Sequence, residues 1–167
     1  SMHIMHNALQ LMYCVFLAGV LVLLVSSLLL INKKMANYAG IAGIGLLVFM
    51  VNTPIVLGFS IGGGINFAQN SLLTTHLFAA LLIIALVIKL IKGDRTTRLY
   101  SAIVLAALCA VIFSTFFLKF VRIDTTARVF IPVIPFLTWL VADSFSGIWK
   151  EIKETKSQLP LNLKNIN

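Results

Sequence analysis

The chain has 167 residues, 60% of them hydrophobic and 11% charged, with a mean hydropathy of +1.03. An ordinary soluble domain carries roughly 45–50% apolar and 25% charged residues. A soluble enzyme of this length could not hide the apolar surplus, and disorder, which needs low hydrophobicity, is excluded as well. The net charge of +8 comes from 13 Lys+Arg against 5 Asp+Glu. These basic residues sit in short clusters at the ends of apolar runs, where membrane topology demands them, so nucleic acid is not their expected partner.

A membrane span needs about 20 apolar residues, because a rise of 1.5 Å per residue must cover roughly 30 Å of hydrocarbon. Residues 8–32 form the first such run; no basic flank precedes it, so it reads as a span rather than a cleaved signal. Residues 35–88 are free of charge and too long for one helix. The Gly- and amide-rich stretch from Gly58 to Asn70 divides them, which predicts helices near 38–58 and 70–92. A fourth span is expected near 98–121. The fifth, 128–149, is less apolar and carries Pro132, Pro135 and Asp143.

The distribution of basic residues decides for five spans. With all five crossing, Lys33, Lys34, Lys89, Lys92, Arg95, Arg98, Lys150, Lys153, Lys156 and Lys164 share one side, and only Lys119, Arg122 and Arg128 face the other. Such a bias marks the cytoplasmic side. The fold class expected is therefore all-α: a polytopic transmembrane helical bundle of five spans, amino terminus outside and carboxyl terminus inside, in a plasma membrane of the bacterial inner-membrane type. The cytoplasmic tail 150–167 is expected to continue the last span as an amphipathic helix (Phe145, Ile148, Trp149 and Ile152 recur at helical spacing) and to loosen beyond Pro160.

Lipid removes the hydrophobic drive between helices, so small residues mark close packing. Ala102, Ala106 and Ala110 recur at every fourth position, and Ala39 with Gly43 does the same in the second span. Both faces are expected to pack. Cys14 and Cys109 lie in apolar runs with no CxxC spacing and are expected to be inert thiols.

Polar residues inside apolar runs are the functional candidates. Asn52-Thr53-Pro54 puts an amide and a hydroxyl beside a helix break, since Pro54 frees a backbone carbonyl. The fifth span holds Thr138 and Asp143, a carboxylate about one turn from the inner end by count. Together Asn52, Thr53, Thr138 and Asp143 form a candidate substrate or ion site; a kink satisfied locally and an interfacial ion pair are the plainer readings. Lys119, Arg122 and Arg128 are either snorkelling side chains or an outer anion site.

His3 and His6 precede the first span, and His76 lies six residues into the third. Two imidazoles from facing helices can hold haem b, and Met with His can hold copper(I). His6 with His76 is the candidate metal pair, against a hydrogen-bonded structural histidine at 76. Neither a haem-attachment CxxCH nor HExxH nor a phosphate loop is present.

The function expected is binding or conduction of a small solute or ion across the plasma membrane. A haem b- or copper-binding redox subunit and a non-catalytic assembly subunit of a larger membrane complex are the alternatives. A self-contained enzyme is the least favoured, for want of acid–base pairs. Membrane lipids and either a homo-oligomer or a larger membrane complex are the partners this implies.

Overall fold

The computed structural model describes residues 2–52, 64–113 and 131–164, with side chains over most of 11–48, 77–113 and 131–158. Apart from two short connections the described residues are helical, with no strand among them. The helices are α1 (Met2–Leu29), α2 (Lys33–Asn52), α3 (Gly64–Lys92), α4 (Arg95–Phe113) and α5 (Ile134–Lys164), the last entered through a 3-10 turn at Ile131–Val133.

Two tight connections fix the arrangement. Between α1 and α2 the chain turns within Leu30–Asn32, and the Asn32 side-chain oxygen accepts from the Lys34 N–H at 2.9 Å, capping α2. Between α3 and α4 only Gly93 and Asp94 intervene. The Gly93 N–H donates to the Lys89 carbonyl at 2.9 Å, while the Asp94 carboxylate accepts from the Thr97 N–H at 3.2 Å. A Cβ on Gly93 would stand 2.4 Å from that same Lys89 oxygen, so only glycine closes this turn without a shift. These caps start α2 and α4 at Lys33 and Arg95, ahead of the expected 38 and 98.

Four helices close a ring: α1 packs on α3, α3 on α4, α4 on α5 and α5 on α1. Leu23 of α1, Ala85 and Leu86 of α3, Val104 and Leu108 of α4, and Val133 and Leu140 leading into and along α5 fill its centre. Tyr100 seals the α4–α5 side, edge-on to Phe136 at 5.2 Å and to Trp139 at 4.8 Å. Helix α2 lies outside the ring along α1. There the small-residue expectation holds at one position: a Cβ on Gly43 would meet both Leu21 methyls at 3.1 Å, close enough that Leu21 would have to give way.

The alanine face of α4 does not pack inward. Ala106 and Ala110 are exposed, and Thr97, Ser101, Val104 and Leu108 turn to the centre instead. The i, i+4, i+7, i+11 stripe puts Val104 and Leu108 into the apolar centre, whereas the alanines offer little side chain to bury.

Two helical segments among the described residues are long and apolar enough to cross a membrane, Arg95–Phe113 and Ile131–Gln158, and α1 contains the shorter apolar stretch Cys14–Leu29. Only 22% and 17% of an 18-residue apolar window in each segment is buried inside the chain. Leu99, Ile112, Ile134 and Phe145 of these segments are exposed, while Val104, Leu108, Val133 and Leu140 turn to the centre. Helix α2 also exposes Tyr38, Ile41, Ile44 and Val48. Helix α5 runs on unbroken to Lys164, past Pro160, where a looser tail was expected.

Candidate functional site

The polar side chains that the fold gathers lie at the end of the ring that carries both tight turns. Lys89 is central. The stripe Leu82, Ala85, Leu86, Lys89 follows helical spacing, so the ammonium belongs to the same face of α3 as the apolar centre. It is 3% exposed. Its Nζ donates to Ser26 Oγ of α1 at 3.0 Å. Beside it, fully buried Ser27 shares its hydroxyl between the Leu23 carbonyl at 2.6 Å and the Ala85 carbonyl of α3 at 2.9 Å. Two consecutive serines of α1 thus bind one turn of α3.

In front of Lys89 opens a cavity of about 380 Å³. Ser26 and Leu30 of α1 form one wall, Lys92 and the Gly93–Asp94 turn the next, with Thr97 of α4 beside it. Asp143, Ser146, Gly147 and Lys150 of α5 complete it. The formal charge of the lining is three lysines against two aspartates. Asp143 and Asp94 act on Lys89 through their charge, yet neither forms an ion pair with it. Hydrogen bonds from the Thr97 side chain and backbone N–H hold the Asp94 carboxyl below its ordinary range. That carboxylate is therefore already engaged in capping α4. Arg98 is engaged too: its guanidinium donates to the Gly93 carbonyl at 2.8 Å and the Ile91 carbonyl at 3.1 Å, closing the end of α3.

One turn deeper than Thr97, the Ser101 hydroxyl is fully buried and has no hydrogen-bond partner among the described residues. Ser144 of α5, 1% exposed, donates back to its own helix at Leu140, 2.6 Å away. With Ser27 and the buried Thr97, these give α1 and α5 one buried hydroxyl each and α4 two. Outside the cavity, Lys33 at the start of α2 pairs with Glu151 on the extension of α5. The hydrogen bond and charge of Glu151 raise the Lys33 ammonium above its ordinary value.

The residues singled out in the sequence are placed as follows. Asp143 lines the cavity and is exposed at its rim. Thr138 is exposed and donates to the Ile134 carbonyl of its own helix at 2.8 Å. Asn52 ends α2, with its side chain outside the described residues, as are Thr53, Lys119, Arg122 and Arg128 entirely. The side chains of His6 and His76 are outside them as well, but both backbones are helical. The register that sets Ser27 beside Ala85 carries His6 roughly 18 Å past the level of His76, by helical rise. Among the described residues no group of three or more His, Cys, Asp or Glu could hold a metal.

Sequence reasoning counted Lys89 only as a topological charge and passed over its place in the Leu82–Ala85–Leu86 stripe. That spacing was the signal for a lysine turned inward. Comparison with protein-family models, curated proteins and solved structures found no match for the chain.

Proposed function

We propose that the chain is a multi-pass plasma-membrane protein of five spans, amino terminus outside, that binds or conducts a small solute or ion through the cavity around Lys89. The outward-facing apolar surfaces of α2, α4 and α5 support the membrane setting, since a soluble monomer rarely exposes contiguous apolar area beyond a few hundred Å². Lipid, or a neighbouring subunit of a homo-oligomer or larger membrane complex, is what such surfaces take. The weight of basic residues around the two tight turns supports a cytoplasmic position for that end.

The observation that carries the reading is the buried Lys89 ammonium, which has one hydrogen bond among the described residues and an open cavity before it. An ammonium has three donors, and a desolvated charge is rarely idle in a membrane protein. The test is reconstitution of the full chain in liposomes. Flux and thermal stabilisation are measured against inorganic cations, inorganic anions and neutral solutes. A response to at least one class that Lys89→Met abolishes is expected. No response to any class overturns the reading.

A further inference from the structure

The cavity chemistry narrows the ligand, on the premise that this cavity is the binding site. We propose that it binds a phosphate group, held at its base by Lys89 and at its rim by Lys92 and Lys150. Three observations converge. Lys89 is buried, with two donors unspent among the described residues. Lys92 and Lys150 are exposed side chains from α3 and α5 that flank the same opening. Of the two lining carboxylates, Asp94 is engaged with Thr97 and Asp143 stands exposed at the rim, so the three lysines outnumber them. Three ammonium groups repel an inorganic cation. They suit an oxyanion with several acceptor lone pairs, which lysine meets as a point charge. The hydroxyls of Ser26 and Ser146 add uncharged donors. The lining's formal excess of one positive charge matches a singly charged phosphate.

The phosphate belongs either to a free solute or to a lipid headgroup, and one experiment separates them. The full chain in detergent is titrated with sodium orthophosphate against sodium chloride at matched ionic strength. In parallel it is titrated with dioleoylphosphatidylglycerol against dioleoylglycerol. Thermal stability is the readout for wild type, Lys89→Met and the double variant Lys92→Gln/Lys150→Gln. The double variant changes exposed side chains only and keeps the test valid where Lys89→Met does not fold. Stabilisation by orthophosphate, weakened about tenfold in the double variant, as loss of charge-assisted contacts implies, supports a free phosphate ligand. Stabilisation by phosphatidylglycerol alone, with the same loss, supports the headgroup. Absence of any lysine-dependent stabilisation in both arms overturns the proposal. If a cation or neutral solute instead gives a Lys89-dependent response in liposomes, the phosphate assignment falls and the solute-binding reading stands. Silence in every assay removes both.

Discussion

Lys89 reaches from α3 to Ser26 of α1, Nζ to Oγ at 3.0 Å, and no carboxylate shares the ammonium as an ion pair among the described residues. This makes the two partners unequal. Removing the hydroxyl strands a desolvated charge, whereas removing the charge leaves a neutral serine that can bond its own helix. Ser26→Ala is expected to cost about 1–3 kcal/mol, the penalty for an unsatisfied buried polar group. Lys89→Met is expected to be near neutral or stabilising without ligand, as apolar replacements of buried charges often are. In the double variant the Ser26→Ala cost should vanish. Thermal unfolding in detergent across the four proteins measures this coupling; additive effects would mean that the contact does not bear on stability.

Asp94 caps α4 from the turn that forms one wall of the cavity. Asp94→Ala is expected to lose about 1 kcal/mol, the usual value of an N-cap, and Asp94→Asn most of that less. The carboxyl titrates lower in the folded chain than its ordinary 3.8. Its contribution is therefore complete above that value and is lost as pH falls through the lower folded value. Unfolding midpoints of wild type and Asp94→Asn should differ at pH 7 and converge in acid. A gap that widens on acidification would contradict the cap.

Gly43 and Gly45 sit two residues apart and should respond oppositely. A Cβ at Gly43 stands 3.1 Å from Leu21, while one at Gly45 meets nothing within 4 Å. Gly43→Val should push α2 off α1 and cost about 1–3 kcal/mol, the range for overpacking. Gly45→Ala should raise stability by about 0.5–1 kcal/mol through helix propensity. Parallel melts of the two variants give the answer directly, and similar losses at both positions would mean that Gly45 also packs.

Leu105 and Ala106 reverse the order that small-residue spacing suggests. Leu105 packs against the central cluster, and Ala106 is exposed. Leu105→Ala is expected to cost about 2 kcal/mol, and Ala106→Leu little or nothing within one chain. A large loss at Ala106 together with a change in oligomeric mass would place that face in a contact between subunits.

The helical class and the two tight turns were legible in the sequence. Apolar length demanded helices, and the basic clusters at Lys33–Lys34 and Lys89–Arg98 marked where they turn. Asn32 and Asp94 are the cap residues that such turns use. Which face of each helix turns inward was less legible. On α4, alanines at every fourth position signal close approach only when a neighbour lies on that side, and the ring lies on the side of Val104 and Leu108. On α3 the lysine was visible and its face was not used. Asp143 was singled out for its charge, but its counterparts come from α1, α3 and the α3–α4 turn. Those lie 49 or more positions away in the chain, and no local pattern brings them together.

Helix α5 is both a wall of the cavity and the arm that leaves it. Asp143, Ser146, Gly147 and Lys150 line the opening, and the same helix continues past Glu151, which grips Lys33 across the α1–α2 turn. From Asp143 to Gln158 the rod measures about 22 Å by helical rise. With no hinge between them, the arm and the exposed cavity wall are two ends of one rod, and the Lys33–Glu151 pair ties that rod to the start of α2. One continuous helix carries Asp143 and Lys150 as a single body, so neither can shift without the arm that follows.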